Sequence, residues 1–253
     1  NFAKIPGMPI AYWASENIIR DYEKSKLIGD YAVARNGIKT GQNGRFLRLW
    51  WEIVEEKLNT TAINYDEAKN SGNKWYVYNK GGSYRKWYGN NDYVVNWENC
   101  GYEIFALAKQ DKRNVQDYPH EMKFIPTISW SLITSGQPAF RYKVHNLSDI
   151  AGMSLFTNKE HIENYLGLLN SKIALKILNL IAPTINFQAG DIARIPVVDE
   201  VIENNIVRKI VANNITLSKC DWDMHETSWD FEKSPLLLNK VDGRIKTAYE
   251  KYK

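Results

Sequence analysis

Histidine, cysteine and carboxylate side chains are where metal or nucleophile chemistry would have to begin. The four histidines, His120, His145, His161 and His225, are scattered, and none stands at ligand spacing from another His or a Cys. The two cysteines, Cys100 and Cys220, are far apart and show neither zinc nor disulfide-framework spacing. Two unpaired thiols fit a reducing cytoplasm. His120–Glu121, His161 with Glu163, and His225–Glu226 are acid–base pairs by composition only, because close sequence neighbours do not face one another on a helix. Lys80-Gly81-Gly82-Ser83 is too short to be a phosphate-binding loop. The residues nominate no catalytic group, no metal site and no cofactor site.

Three windows carry residue types suited to nucleic acid. The first, residues 74–90, holds Lys74, Lys80, Arg85 and Lys86 without an acidic residue, interleaved with Trp75, Tyr76, Tyr78, Tyr84, Trp87 and Tyr88. Cations draw in phosphates, and arginine can grip a guanine edge. The Gly81-Gly82 turn is expected to project this hairpin-like element from its sheet. The bland alternative is a hairpin whose aromatics pack in the core and whose cations are solvated. The second window runs from Arg35 to Arg48. Its glycines permit close backbone approach, and its cations and small polar residues suit a phosphate cradle or, equally, a capped loop before a strand. The third is Leu168-Leu169-Asn170-Ser171-Lys172, where Asn and Ser inside a helix mark a kink, a helix–helix contact or a phosphate contact.

The elements that must position these windows can be read from periodicity. Ser15 caps a short helix through about Lys24, and a strand is expected at Tyr31–Ala34. Phe46–Val54 is β-prone, a short helix falls near Tyr65–Asn70, and strands are expected at Lys74–Asn79 and Tyr93–Trp97. Residues 98–110 read as a helix. Short strands follow around Ile128, Phe140–Lys143 and Met153–Phe156. The spacing of Ile162, Tyr165, Leu166, Leu169, Ile173, Ile177 and Leu180 predicts one helix over 160–182, stopped by Pro183. A tight element spans Ile185–Val198. From Asp199 onward the chain reads as wholly helical, with Ile202, Ile206, Ile210, Val211 and Ile215 on one face. Strands first and helices after imply an α+β fold, a mixed sheet-based domain followed by a helical C-terminal appendage. The expected divisions are an entry segment over 1–36, a sheet-based domain over 37–198 and a helical segment over 199–253.

The chain has 253 residues, 44% of them hydrophobic, enough to build a core without a metal or disulfide staple. Its formal charge of +4 is too mild to prove a nucleic-acid partner, and 13% aromatic residues suit bases, sugars or protein interfaces alike. No apolar run approaches a membrane span, and no leader opens the chain, so a cytoplasmic protein with no membrane partner is expected. It begins with Asn1, and Val241–Lys253 reads as a helix stopped in mid-pattern, so both ends are expected to be cuts in a larger protein.

Gly37-Ile38-Lys39-Thr40-Gly41-Gln42-Asn43-Gly44-Arg45-Phe46 resembles the Gly-(Ile/Leu)-Lys-Thr-Gly-x-Asn-x-x-Phe signature. That signature opens the target-recognition region of type II restriction–modification enzymes with fused methylase and specificity parts. Its extension through Arg48-Leu49-Trp50-Trp51-Glu52-Ile53 is similar to the version in BREX-type phage-exclusion adenine methyltransferases. Blocks at Lys80–Asn90, Val94–Trp97, Leu166–Lys172, Asn186–Pro196, and Trp222 with Glu226–Phe231 agree in order and span nearly the whole chain. The resemblance implies a parent enzyme that transfers a methyl group from S-adenosylmethionine to adenine N6. Its catalytic domain, with the cofactor, would precede Asn1, Asn1 through Trp13 would lead out of it, residues 37–198 would be the target-recognition domain and residues 199–253 a helical spacer or clamp. This chain has no Pro-Pro, so it lacks the Asn/Asp-Pro-Pro-Tyr/Phe motif that holds the extruded adenine, and it would carry no methyl transfer alone. Its implied partners are double-stranded DNA, the methyltransferase domain of the same polypeptide and other proteins of a defence system. The Leu166–Lys172 and Asn186–Pro196 blocks also resemble largely structural parts of type I specificity subunits. Base-reading residues vary among such proteins, so charge and position select Lys39, Arg45, Lys80, Arg85 and Lys86 as DNA contacts. Gln42, Asn43, Asn90 and Arg141 are secondary choices, and Asn186 and Gln188 are as readily structural. The competing reading is a protein-interaction scaffold of a defence complex with little DNA specificity, and a carbohydrate-binding aromatic surface is a third.

Overall fold

The computed structural model describes residues 15–113 and 116–253, so the expected passage from Asn1 to Trp13 lies outside them. The fold is α+β, as expected. Eleven strands are present among the described residues: β1 (Lys26–Leu27), β2 (Val33–Arg35), β3 (Leu47–Leu49), β4 (Leu58–Asn59), β5 (Trp75–Asn79), β6 (Tyr93–Asn96), β7 (Thr127–Ser131), β8 (Arg141–Lys143), β9 (Leu147–Ser148), β10 (Gly152–Phe156) and β11 (Pro196–Val197). Four of them form an antiparallel sheet in the order β2-β10-β7-β8. A mixed sheet runs β3-β6-β5-β4, with β9 continuing beside β5 where β4 leaves off. β1 and β11 make a separate antiparallel pair. The sheets are stitched together by Asn79, whose Nδ2 donates to Ser129 Oγ and, at 2.9 Å, to Gly152 O.

Each sheet owns a hydrophobic core. The four-stranded sheet contributes Ile128, Trp130, Phe140, Met153 and Leu155, packed against Ile162, Leu166, Leu169, Ile177 and Leu178 of two helices. Trp130 is fully buried and donates its Nε1 proton to Phe187 O at 2.9 Å, so the ring fills the core without an orphaned donor. The mixed sheet contributes Tyr76, Tyr78 and Val95, packed with Ile38, Phe46, Ile104, Phe124 and Leu147. Burying one side chain of this size stabilises by roughly 1.5–3 kcal/mol, so two clusters of this extent are ample for a chain of this length.

Several elements differ from expectation for identifiable reasons. The helix expected over 160–182 is two, Ile162–Leu169 and Lys172–Ile181, because Ser171 turns extended and caps the second by accepting from Ala174 N at 3.1 Å. The β-prone run after Phe46 ends at Leu49, where the Glu52 carboxylate takes Leu49 N at 2.9 Å and Trp50–Glu52 forms a 3-10 turn. Tyr31 closes a short helix, Ile28–Tyr31, and the strand begins at Val33. The helix Glu98–Gln110 opens with Asn99, Cys100 and Gly101 at φ 51°, 60° and 76°. Beyond Asp199 the chain is not wholly helical: the helix Asn205–Asp223 is followed by a non-helical stretch before Pro235–Leu238 and Ile245–Tyr252. Its buried stripe uses Val207, Val211, Ile215 and Trp222, while Ile206 and Ile210 are 70% and 55% exposed.

Candidate nucleic-acid interface

Residues 37–46 form a loop whose anchors and tip are separated by residue type. Ile38, Thr40 and Phe46 are buried. Ile38 N donates to Ser148 O at 2.7 Å, and Ile38 O accepts from the Tyr78 hydroxyl at 2.8 Å. Gly37 makes this approach possible, since a Cβ there would lie 1.9 Å from Ser148 O. Gly41 has φ +77°, and a Cβ on it would overlap the Arg113 guanidinium. Between the staples, Lys39, Gln42, Asn43 and Arg45 are exposed. Thr40 Oγ1 donates to Asn43 Oδ1 at 2.8 Å, and Arg48 Nη1 donates to Gly44 O at 2.8 Å, which stiffens the turn Asn43–Phe46. Lys39 forms no ion pair among the described residues. Arg45 lies over the Phe46 ring and pairs with Glu103. The result is a polar, cationic lip on a rigid base, able to meet phosphates and base edges.

The structure thus gathers Lys39, Gln42, Asn43 and Arg45 and brings Arg113 and Glu103 to them. Arg113 had no sequence signal, because it follows a helix far along the chain and meets the loop only through the fold. It is held by Asp111 at 2.9 Å.

The window 74–90 is built differently from the projecting hairpin expected of it. β5 and β6 do pair, but the connection between them folds down onto the four-stranded sheet. Trp87 N donates to Phe140 O at 2.9 Å, and Tyr142 N donates to Trp87 O at 2.8 Å. Trp75, Tyr76, Tyr78 and Tyr88 are buried, and Tyr84 remains 60% exposed. The cations have protein partners. Lys80 pairs with the buried Asp149 at 2.8 Å. Arg85 pairs with Asp221, donates Nε to Tyr88 O at 2.9 Å and lies over the Trp222 ring. Lys86 Nζ donates to Asn170 O at 3.1 Å.

Asn90, at φ 56°, and Arg141 are buried. Asn90 Nδ2 donates to Ser83 O at 2.9 Å. Arg141 donates to Arg85 O at 3.3 Å and Ser131 Oγ at 3.2 Å, and burial lowers its guanidinium to about 10. Asn170, from the third window, turns its side-chain amide onto Phe140, accepting N–H at 3.1 Å and donating to O at 2.9 Å. Asn186 Oδ1 accepts from Gln188 Nε2 at 3.2 Å.

No group of three or more His, Cys, Asp or Glu is arranged to hold a metal among the described residues. Also among them, no helix is long and apolar enough to cross a membrane. A polar cleft of about 590 Å³ lies between Trp50, Asn59, Thr60 and Asn73 on one side and Trp229 and Asp230 on the other. An apolar groove of about 410 Å³, lined by Leu168, Ile173, Ile177, Val207 and Ile210, runs along the helices.

No protein-family model matches the chain. Over 258 aligned residues it is 35% identical to the adenine-specific methyltransferase BrxX of Escherichia coli O9:H4 (strain HS), covering 100% of this chain and 20% of that protein. Over 246 residues it is 35% identical to the adenine-specific methyltransferase PglX of Lacticaseibacillus casei (strain Zhang), covering 94% of this chain and 20% of that protein. The chain spans about a fifth of the length of the curated relatives it matches. Along nearly its whole length it is therefore homologous to one region of these adenine-specific methyltransferases.

Proposed function

We propose that this chain is the DNA-recognition region of an adenine-specific DNA methyltransferase serving phage defence of the BREX type. It would hold the duplex and select the site, while S-adenosylmethionine and the extruded adenine are handled by another part of the protein. No residue of this chain is assigned to the cofactor. The observation that carries the reading is the lip of Lys39, Gln42, Asn43 and Arg45, exposed on a loop that Ile38, Thr40 and Phe46 anchor in the interior. A folding requirement accounts for Ile38, Thr40 and Phe46 and for the bond from Thr40 to Asn43, but not for the chemistry of Lys39, Gln42 and Arg45. The homology to adenine-specific methyltransferases supports the same reading.

The test is fluorescence anisotropy of duplex pools with the 253-residue chain at two salt concentrations. Binding should weaken steeply with salt, and Lys39→Ala with Arg45→Ala should cost about tenfold in affinity at 0.1 M salt, roughly one phosphate contact or more. Because both side chains are exposed, the melting temperature should move little. Salt-insensitive binding, or none in low salt, would sink the proposal.

The apolar groove beside Ile173 and Ile210 favours a second reading, a scaffold that docks other proteins of the defence system. The same titration separates the two, since only the first predicts duplex binding.

A further inference from the structure

Arg45 and Glu103 are both about half exposed, at 48% and 47% of their side chains, and they are 58 residues apart. An ion pair this exposed contributes little to stability, so the fold is a poor reason for it. Yet the pair is held from both sides. Phe46 backs the guanidinium, its ring centre 5.3 Å away. Glu103 reaches across from the helix Glu98–Gln110, and its second oxygen accepts from Asn96 Nδ2 at 3.1 Å. Asn96 belongs to β6 and is buried; its own Oδ1 accepts Glu98 N at 3.2 Å. A relay of fixed groups thus runs from the sheet to the guanidinium. Arg45 has five N–H donors, and the carboxylate engages one edge of the fork. The Arg45 guanidinium, with help from Lys74 and Asn96, holds the Glu103 carboxyl below its ordinary range, so the carboxylate stays ionised.

We propose that Glu103 is a positioning residue for Arg45: it fixes the guanidinium at the lip and masks its charge until a correctly placed acceptor on DNA replaces it. This rests on the DNA-recognition reading. A loose cation gains nearly as much from any phosphate as from the right base edge, so a mobile Arg45 would favour every sequence equally. A guanidinium already paired with a carboxylate gains less from a passing phosphate than a bare one, because the pair's attraction is given up in the exchange. Only an acceptor set that matches the fork geometry repays that cost, so Glu103 trades general affinity for selectivity.

The experiment measures binding of the 253-residue chain to its selected duplex and to a scrambled duplex across salt, for wild type, Glu103→Gln, Arg45→Ala and the double variant. Glu103→Gln keeps the shape and removes the charge. It should tighten binding to scrambled duplex about threefold at 0.1 M salt and steepen the salt slope by about one contact. Its ratio of selected to scrambled affinity should fall. In the Arg45→Ala background the same substitution should change nothing. NMR titration should show the Glu103 carboxyl returning towards its ordinary range in Arg45→Ala. If wild type binds DNA but Glu103→Gln leaves the ratio unchanged, or its gain persists without Arg45, the inference is wrong and the recognition reading stands. If wild type binds no duplex, both fall.

Discussion

Lys143 sits fully enclosed on β8, with its Nζ donating to Gly89 O and Asn90 O at 2.8 Å each and to Asn91 Oδ1. Burial lowers its ammonium well below the ordinary lysine range; Arg141 nearby pushes the same way, and Asp92 opposes. The folded state therefore binds fewer protons than the unfolded chain, whose lysines titrate near 10.4. Stability must rise with pH across the window between those two values and fall as pH drops through the folded one. Urea unfolding at pH 7 and pH 9.5 should show wild type gaining on Lys143→Met at the higher pH. Parallel changes in the two proteins would mean that Lys143 stays charged in the fold. Arg141 and Lys143 also show why the sequence under-determines the site. A cation in a strand reads the same whether it faces solvent or carbonyls, and Arg85 differs from Lys39 through Tyr88 O and through Asp221, 136 residues away, with its neighbour Trp222.

At the scale of elements, the loop 37–46 and β9 depend on each other. Gly37→Ala would drive its Cβ into Ser148 O, and should cost about 3 kcal/mol in stability because both neighbours are backbone. Gly44 has open space where a Cβ would go and lies in the helical turn Asn43–Phe46. Gly44→Ala should be neutral or stabilising by up to about 1 kcal/mol. Thermal melts of the pair check the assignment: equal losses would mean that the loop does not dock as described. Many elements were legible because their signals are local. Asn64 caps Tyr65–Ser71 and Gly72 ends it at φ 70°, as composition there suggests. β5, β6, β7, β8 and β10 lie where β-rich runs predict strands. β1, β4, β9 and β11, of two residues each, carry no periodic signal and exist only because partners distant in sequence complete them. The outward turn of Ile206 and Ile210 was equally invisible, since Val207 and Val211 offer an alternative apolar stripe one residue along.

Across the molecule, the helix Asn205–Asp223 and the segment after it are fastened to both sheets. Val211 enters the core of the four-stranded sheet. Trp50 Nε1 donates to Thr227 O at 2.9 Å, and Lys219 pairs with Asp223 and Asp230 at 2.5 and 2.6 Å beneath the Tyr88 ring. Arg85 closes the set through Asp221 and Trp222. Arg85→Ala should therefore raise amide exchange in the last turns of that helix while β7 and β10 keep their protection. Unchanged exchange there, with weaker duplex binding, would return Arg85 to the role of a DNA contact.

β8 is the outer strand of its sheet, and an unpaired strand edge is a template for another chain. Phe140, at its start, is covered by Trp87 from one side of the sequence and by the amide of Asn170 from the other. Trp87 precedes β8 in the chain and Asn170 lies 30 residues beyond Phe140, so a growing chain makes one half of that cover before β8 and the other half after it. The Asn170 carboxamide completes a guard that Trp87 begins, and its replacement by an apolar residue of similar size should show first as aggregation during synthesis.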